Sequence, residues 1–398
     1  WEEQLLKHTT VTARARVMHF LVPLLLGGVA ATYAQLDSED RPWRDRCPTA
    51  STAGAREAEF RAMRVRLAMA AHSRPESVAL RAYRNRSLNV GGAAPPPVAY
   101  VNKGQTASPE LDAMLRLDSG RPVWDSAFVS AMRRRARAGN SLSPAAYPHA
   151  AEDLSRACAQ FVTGRHRSSA LRFAVASSLS PWVELTLMRD CGATNITTLE
   201  FNEPIISDAK LSRSVSSLAV AALPSLYAQQ GPLFDVIVSF SGIEHDGLGR
   251  YGDPLNIDGD LAATAELRCL LRPGGLLFLG VPTHCREDDG TIHQPRYMAR
   301  VYGPQRLPRL LAGFELLGWA WQGQLVPGGL EAAAAFLPQN LSKASTSATR
   351  SWLSFWYDIK RSVSRRPWMH QPLLVLTPST HATAEQPAPT GSQCHGRA

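Results

Sequence analysis

The sequence predicts a doubly wound, mostly parallel, Rossmann-like α/β domain, and three observations predict it. First, Phe234 to Phe240 and Leu276 to Val281 are short apolar runs rich in Val, Ile, Leu and Phe, as expected of strands covered on both faces. Second, Leu261, Ala265, Leu267 and Leu271 recur at near-helical intervals between them, so Asp260 to Leu271 is expected to be a helix. Third, Pro273-Gly274-Gly275 stops that helix before the next strand. Strand, long loop, helix, turn and strand make one right-handed crossover unit. Ligands of such sheets lie beyond the carboxyl ends of the strands, so the loop Ser241 to Asp258 is expected to face the cleft.

The chain has room for one large domain with additions, or two. It has 398 residues, 44% of them hydrophobic, and a net charge of +9. That charge is uneven. Residues 1–150 carry 21 Lys+Arg against 13 Asp+Glu, which leaves 22 against 21 for the remainder. A nearly neutral α/β part argues against a nucleic-acid groove, and no nucleic-acid partner is expected. Six scattered cysteines without a CxxC pair argue against zinc, and no metal site is expected. They are compatible with disulfides in an oxidising compartment, although Cys269, on an apolar helix face, reads more simply as a small core residue.

Trp1 stands where a complete chain would have Met, as expected of a fragment or a misplaced start. Within residues 1–34, the apolar run Phe20 to Ala34 is short for a membrane span, and a small-x-small ending at Thr32 and Ala34 follows it. Cleavage after Ala34 is the preferred expectation; a signal-anchor and a buried helix remain the alternatives. The chain is therefore expected in the secretory pathway, lumenal, secreted or anchored to the membrane through residues 18–34. Asn85, Asn195 and Asn340 would then be glycan acceptors, making it a glycoprotein. Residues 35–150 read as a basic, partly helical or disordered stem. Arg41 to Arg86 holds eleven arginines against four acids, GGAAPPP at residues 91–97 is a breaker, and Arg133, Arg134, Arg135 and Arg137 cluster.

The Rossmann-like domain is expected over 151–378. Its strands read as Leu171 to Ala176, Ile196 to Phe201, Ser217 to Ala222, Phe234 to Phe240, Leu276 to Val281, Phe314 to Trp321 and Leu373 to Leu376, the last antiparallel to the one before it. Residues 322–370 read as an insertion with a Trp352–Ile359 aromatic helix, and 379–398 as a disordered tail. The turn Ser177-Ser178-Leu179-Ser180-Pro181 stands where dinucleotide folds carry glycines, with small hydroxyl residues instead. Glu200 ends the second strand, where a ribose diol is held in such folds. In the cleft loop, His245 lies between Glu244 and Asp246, and Asp253 is the preferred partner of its imidazole.

The strings FDVIVSF, IEHDGLGRYGDP, LRPGGLLFLGVP and RVYGPQRLPRLLAGFELL resemble an uncharacterised eukaryotic domain-of-unknown-function family whose core is similar to class I S-adenosylmethionine (SAM) methyltransferases. The resemblance covers roughly Leu171 to Gly323, with a last strand expected at Pro372 to Pro378, and implies a SAM-binding fold. On that basis Ser177, Ser178, Ser180, Glu200, Ser239 and Ser241 are the expected cofactor contacts. His245, Asp253 and Glu244 are the expected catalytic group, and Arg250, Tyr251, His293 and Arg300 the expected substrate contacts. The leading reading is a SAM-dependent methyltransferase acting on a small molecule or glycan. The alternatives are a non-catalytic or glycan-binding module and a glycan-modifying enzyme of another kind.

Overall fold

The structure is a computed structural model. It describes Cys47 and residues 51–72, 106–163, 170–248, 251, 253, 256, 258–283, 291–292, 299–302, 306–327 and 371–379. The expected signal segment, the glycan sites Asn85 and Asn340, the 328–370 part of the insertion with its aromatic helix, and the tail from 380 lie outside the described residues, as do Arg250 and His293.

The first elements are helix α1 (Ala53–His72), helix α2 (Pro109–Met114), hairpin strands β1 (Arg116–Asp118) and β2 (Arg121–Trp124), and helices α3 (Ser126–Arg137) and α4 (Ala150–Phe161). They lead into β3 (Phe173–Ala176), α5 (Trp182–Asp190), β4 (Ile196–Glu200), β5 (Ile205–Ile206), β6 (Val215–Ala219) and α6 (Leu223–Gln230). Then come β7 (Phe234–Phe240), α7 (Gly259–Leu270), β8 (Leu271–Gly280), β9 (Thr291–Ile292), β10 (Ala299–Arg300) and α8 (Arg306–Leu310). The last are β11 (Phe314–Trp321), β12 (Gln324–Pro327) and β13 (Leu373–Pro378).

Eight strands form one sheet in the order β12-β11-β13-β8-β7-β3-β4-β6. β4, β3, β7 and β8 run parallel with β6 at the edge, whereas β13 inserts antiparallel to both β8 and β11. The alternation read from the sequence decides which side chains face which layer. Phe173, Val175, Val236, Val238, Leu276, Phe278, Leu373 and Val375 point to the layer that holds α4 and α5. Ala174, Ala176, Ile237, Leu277, Leu279, Leu374 and Leu376 point to the layer of α1, α6, α7 and α8. Both faces are covered, which is why these strands carry no polar stripe. The fold is therefore the expected doubly wound, mostly parallel α/β sheet. The chain winds from β3 through β4 to β6, then returns to β7 on the other side of β3. In doubly wound sheets ligands bind where the strand order reverses, which here is at the carboxyl ends of β3 and β7.

Three expectations are corrected. Residues 35–150 are not a separate stem where they are described. Trp124, Phe128, Met132 and Leu142 are 0–2% exposed and belong to the same apolar cluster as Phe173 and Val238, and Phe60 of α1 stacks on Tyr227. The arginines of α3 disguise this in sequence, because they occupy its outer face and last turn while Phe128, Val129 and Met132 face inward. The third strand starts earlier than expected, at Val215, because Val220–Ala222 already turns into a 3-10 helix. Cys269 is not a lone core residue: it is bonded to Cys47, and Cys158 is bonded to Cys191. Among the described residues no helix is long and apolar enough to cross a membrane.

The second bridge closes a chain separation of 33 residues. In the chain-entropy account, opening a loop of that size costs about 3–4 kcal/mol. Peptide mapping without reductant is expected to recover linked peptides containing Cys158 and Cys191, and denaturant unfolding of the Cys158→Ala/Cys191→Ala double variant to show a loss of that order. Free thiols at both positions in the native protein would contradict the pairing.

Candidate functional site

The candidate side chains lie at strand ends or in the loops that leave them. The turn after β3 holds Ser177, Ser178 and Ser180, Glu200 closes β4, and Ser239 and Ser241 straddle the end of β7. Two of these turns touch. Ser177 adopts a positive φ of 68°, and a Cβ added at Gly242 would lie 2.1 Å from the Ser177 Cβ, so only glycine permits the approach. Gly247 is likewise required: its φ is 77°, and a Cβ there would lie 2.0 Å from the Asn256 carbonyl oxygen.

The serine turn is held by a buried acid. Glu184, at the third position of α5, is 0% exposed; it accepts the Ser178 hydroxyl at 2.9 Å and the Thr198 hydroxyl at 2.8 Å. Burial raises its carboxyl to about 7, against the lowering effect of its own N–H and the two hydroxyls. Ser178 also meets Glu200, whose carboxylate takes the Ser178 backbone N–H. Glu200 is half-buried, and burial raises its carboxyl to about 8. The Phe201 and Ser178 N–H groups oppose the rise, and the charge of Glu184 adds to it. The neighbouring Phe201 is 48% exposed and is the large hydrophobic residue left open among those described.

Beyond β7, Ile243–His245 forms a 3-10 turn. The Ser241 hydroxyl donates to Glu244 Oε1 at 2.8 Å, and the same oxygen lies 3.6 Å from His245 Nε2. His245 is 6% exposed and meets the Tyr251 ring edge-on at 5.7 Å between centroids. Asp253 accepts the backbone N–H groups of Gly247 and Tyr251 at 2.8 and 3.1 Å, contacts that shape the loop. Asn202, just past β4, donates to the Tyr251 carbonyl oxygen at 3.3 Å, which links the two loops.

Arg300, expected at the substrate, is fully buried. It donates to the carbonyl oxygens of Asp246 at 2.6 Å and Asn256 at 3.2 Å, and its Nε lies 3.5 Å from Asp260. Its guanidinium organises the loop from beneath. Asp260 also receives Arg306 through Nε at 2.9 Å and the Tyr302 hydroxyl at 3.0 Å, and Arg306 reaches Asp258 as well. Burial pushes the Asp260 carboxyl up, and the charges of Arg300 and Arg306 outweigh it, holding the group below its ordinary value.

The topology thus brings Ser177, Ser178, Ser180, Glu200, Ser239, Ser241, Glu244, His245, Tyr251 and Asp253 to one edge of the sheet, with the Ser178 and Ser180 side chains turned inward. Sequence reasoning missed Thr198, Phe201, Gln371 and the structural part played by Glu184. A glutamate within the apolar run WVELTL and a glutamine ahead of the apolar strand LLVL are the signals that mark two of them. The residues present suit an adenosyl nucleoside: an acid beside an exposed aromatic ends β4, and the Ser239 hydroxyl is buried without a hydrogen-bond partner near the end of β7.

Residues 171–335 match the family model DUF268, described as a Caenorhabditis protein of unknown function. The matched segment spans less than half of the chain. The solved structures that the chain resembles include the (4+2)-cyclase SpnF, at 19% identity and a TM-score of 0.34, covering 58% of this chain and 82% of that one. The complex of a Haloferax volcanii Trm112 methyltransferase activator with its putative methyltransferase matches at 14% identity and a TM-score of 0.33, over 58% and 90% of the two chains. An O-methyltransferase from a Brevibacillus brevis trans-AT PKS multienzyme, solved with S-adenosyl-L-homocysteine, matches at 12% identity and a TM-score of 0.33, over 61% and 77%. No curated protein matches the chain.

Removing the charge of Asp260 leaves two buried guanidinium groups facing a neutral amide. Asp260→Asn is expected to cost about 3–5 kcal/mol in denaturant unfolding at pH 7. Because the folded carboxyl lies below its ordinary value, its contribution is present at neutral pH and is lost as pH falls through the folded pKa. The gap between variant and wild type should therefore close in acid. A variant as stable as wild type at pH 7 would show that the cluster does not hold the loop.

Proposed function

We propose that the α/β domain is a SAM-dependent methyltransferase acting on a substrate hydroxyl. The observation that carries this reading is the Glu184 carboxyl under the first turn. Dinucleotide folds place a pyrophosphate at this helix start, over glycines whose backbone N–H groups approach it. Here the start of α5 is already met by an internal acid, and a second acid, Glu200, shares Ser178 with it. A phosphate would face two acids with no cation among the groups that shift them. A phosphate-free nucleoside with a positive charge meets no such opposition, and SAM supplies an electrophilic methyl group on a sulfonium.

Glu200 would hold the ribose hydroxyls and Phe201 would offer its open face to the base. Ser239 would serve the polar end of the nucleoside. His245, five residues past the end of β7, would take the proton of the acceptor hydroxyl as its oxygen gains the methyl carbon, the electrons of the broken carbon–sulfur bond staying with sulfur. The two disulfides support placing this activity in the secretory pathway, with a small molecule or glycan as acceptor. Full-length protein made in eukaryotic cells should then gain endoglycosidase-sensitive mass; an unglycosylated product retaining residues 1–34 would exclude that placement.

Accepting two ribose hydroxyls requires Glu200 to be ionised, and its folded carboxyl sits at about 8. Binding of S-adenosylhomocysteine is therefore expected to tighten as pH rises from about 6 to 9 and to release a proton at pH 7, read by calorimetry in buffers of different ionisation enthalpy. Glu200→Ala should weaken binding by about 1–3 kcal/mol and flatten the pH dependence. If folded protein shows neither heat nor a thermal shift with SAM or S-adenosylhomocysteine, the non-catalytic or glycan-binding reading replaces this one.

A further inference from the structure

We propose that Gln371 is a positioning residue for His245, acting through Ser241 and Glu244. The inference rests on the base role just given to His245 and extends it to a residue from the far end of the domain. Gln371 is 4% exposed and lies two residues before the start of β13. β13 runs against β8, so its start falls at the carboxyl edge of the parallel strands, pairing Leu373 with Gly280. From there Gln371 Nε2 donates to Ser241 Oγ at 3.0 Å, Ser241 Oγ donates to Glu244 Oε1 at 2.8 Å, and that oxygen lies 3.6 Å from His245 Nε2.

The order of donors in this chain is fixed by counting protons. A serine hydroxyl has one proton, and here it goes to the carboxylate. Its oxygen can then only accept from Gln371, so the amide must present its nitrogen. Reversal would put two acceptors face to face. The amide of Gln371 therefore sets the rotation of the Ser241 hydroxyl, which in turn holds Oε1 on the side of the imidazole. Ser241 itself is held at a positive φ of 55°, which aims its side chain back at the 3-10 turn. A carboxylate fixed beside an imidazole favours the protonated ring and strengthens it as a base.

Other charges face the same turn. Arg300 from β10 donates to the Glu244 and Asp246 carbonyl oxygens, with Tyr302 and Asp260 behind it, and Asp246, Asp253 and the Tyr251 phenol lie in the loop. None of these contacts involves Gln371, and Ser241→Ala tests whether a shift runs through the Ser241 link.

The test is the titration of the His245 ring by proton–carbon NMR in the full chain, its signal assigned from His245→Gln. Glu244→Gln is expected to lower the His245 pKa by roughly one unit, and Gln371→Met, close in volume but without the donor, by roughly half that. If Gln371→Met does not fold, Ser241→Ala breaks the same link at its other end and should give a comparable drop. A His245 titration in Gln371→Met or Ser241→Ala that overlays the wild type, while Glu244→Gln shifts it, would reduce Gln371 to a packing residue. No shift in Glu244→Gln would remove the whole relay. S-adenosylhomocysteine affinity is measured alongside. A protein that shows the coupled titration but binds no nucleoside keeps the relay and loses the methyl-transfer reading, whereas binding without coupling does the reverse.

Discussion

The carboxyl edge of the sheet depends on one buried charge. Asp260 opens α7, is 0% exposed, and is gripped by Arg306, Arg300 and the Tyr302 hydroxyl. A carboxylate so deep is tolerable only with cations in contact, and each cation needs its remaining N–H groups satisfied. Arg300 meets that need by donating to backbone carbonyl oxygens of the loop after β7, and Arg306 by reaching Asp258. The loop that carries Glu244 and His245 is thereby anchored to α7, β10 and α8 at once. Apolar residues in place of the whole cluster could pack as well, but nothing would then reach under the loop to hold its carbonyl oxygens. The ion cluster fixes where the loop lies more than how stable the fold is.

At the neighbouring strand ends the same constraint is met differently. Glu184 and Glu200 are buried without a cation among the groups that shift them, and both carboxyls are raised, to about 7 and about 8. Hydroxyls and N–H groups offset part of the desolvation but cannot cancel it. The β3 turn has no glycine and holds its shape through Ser178 and Thr198, which tie it to Glu184. A turn shaped by side chains is less open to a ligand's approach than a glycine turn.

How far the sequence revealed this follows from the range of each interaction. Strand alternation is local, so β7 and β11 lie where the apolar runs place them, and β13 runs antiparallel to β11 as its position after the sixth strand suggests. The placement of Glu200 and His245 at strand ends follows from the same pattern. What their side chains touch does not. Gln371 meets Ser241 across 130 positions, Arg300 reaches Asp246 across 54, and Cys47 bonds Cys269 across 222. Residues 106–150 were hidden for a related reason. Their apolar positions are interleaved with arginines, and the β1–β2 hairpin shows itself only when Trp124 donates to the Leu179 carbonyl oxygen in the first turn.

The acids of this edge divide into two tasks. Carboxyls near a cationic methyl donor would bind it best before reaction, because its positive charge fades as the methyl leaves. An interaction stronger in the ground state than in the transition state adds affinity and no rate. On the proposed reading, Glu184 of α5 and Glu200 of β4, which meet at Ser178, would therefore serve retention of the nucleoside. Rate has to come from groups whose hold strengthens as the acceptor loses its proton, and those belong to the other side of the crevice. Glu244 fits that task, since an imidazole that gains a proton gains attraction to the carboxylate 3.6 Å away. The topological reversal between β3 and β7 separates the two sets, so a nucleoside held on one side would meet its acceptor on the other.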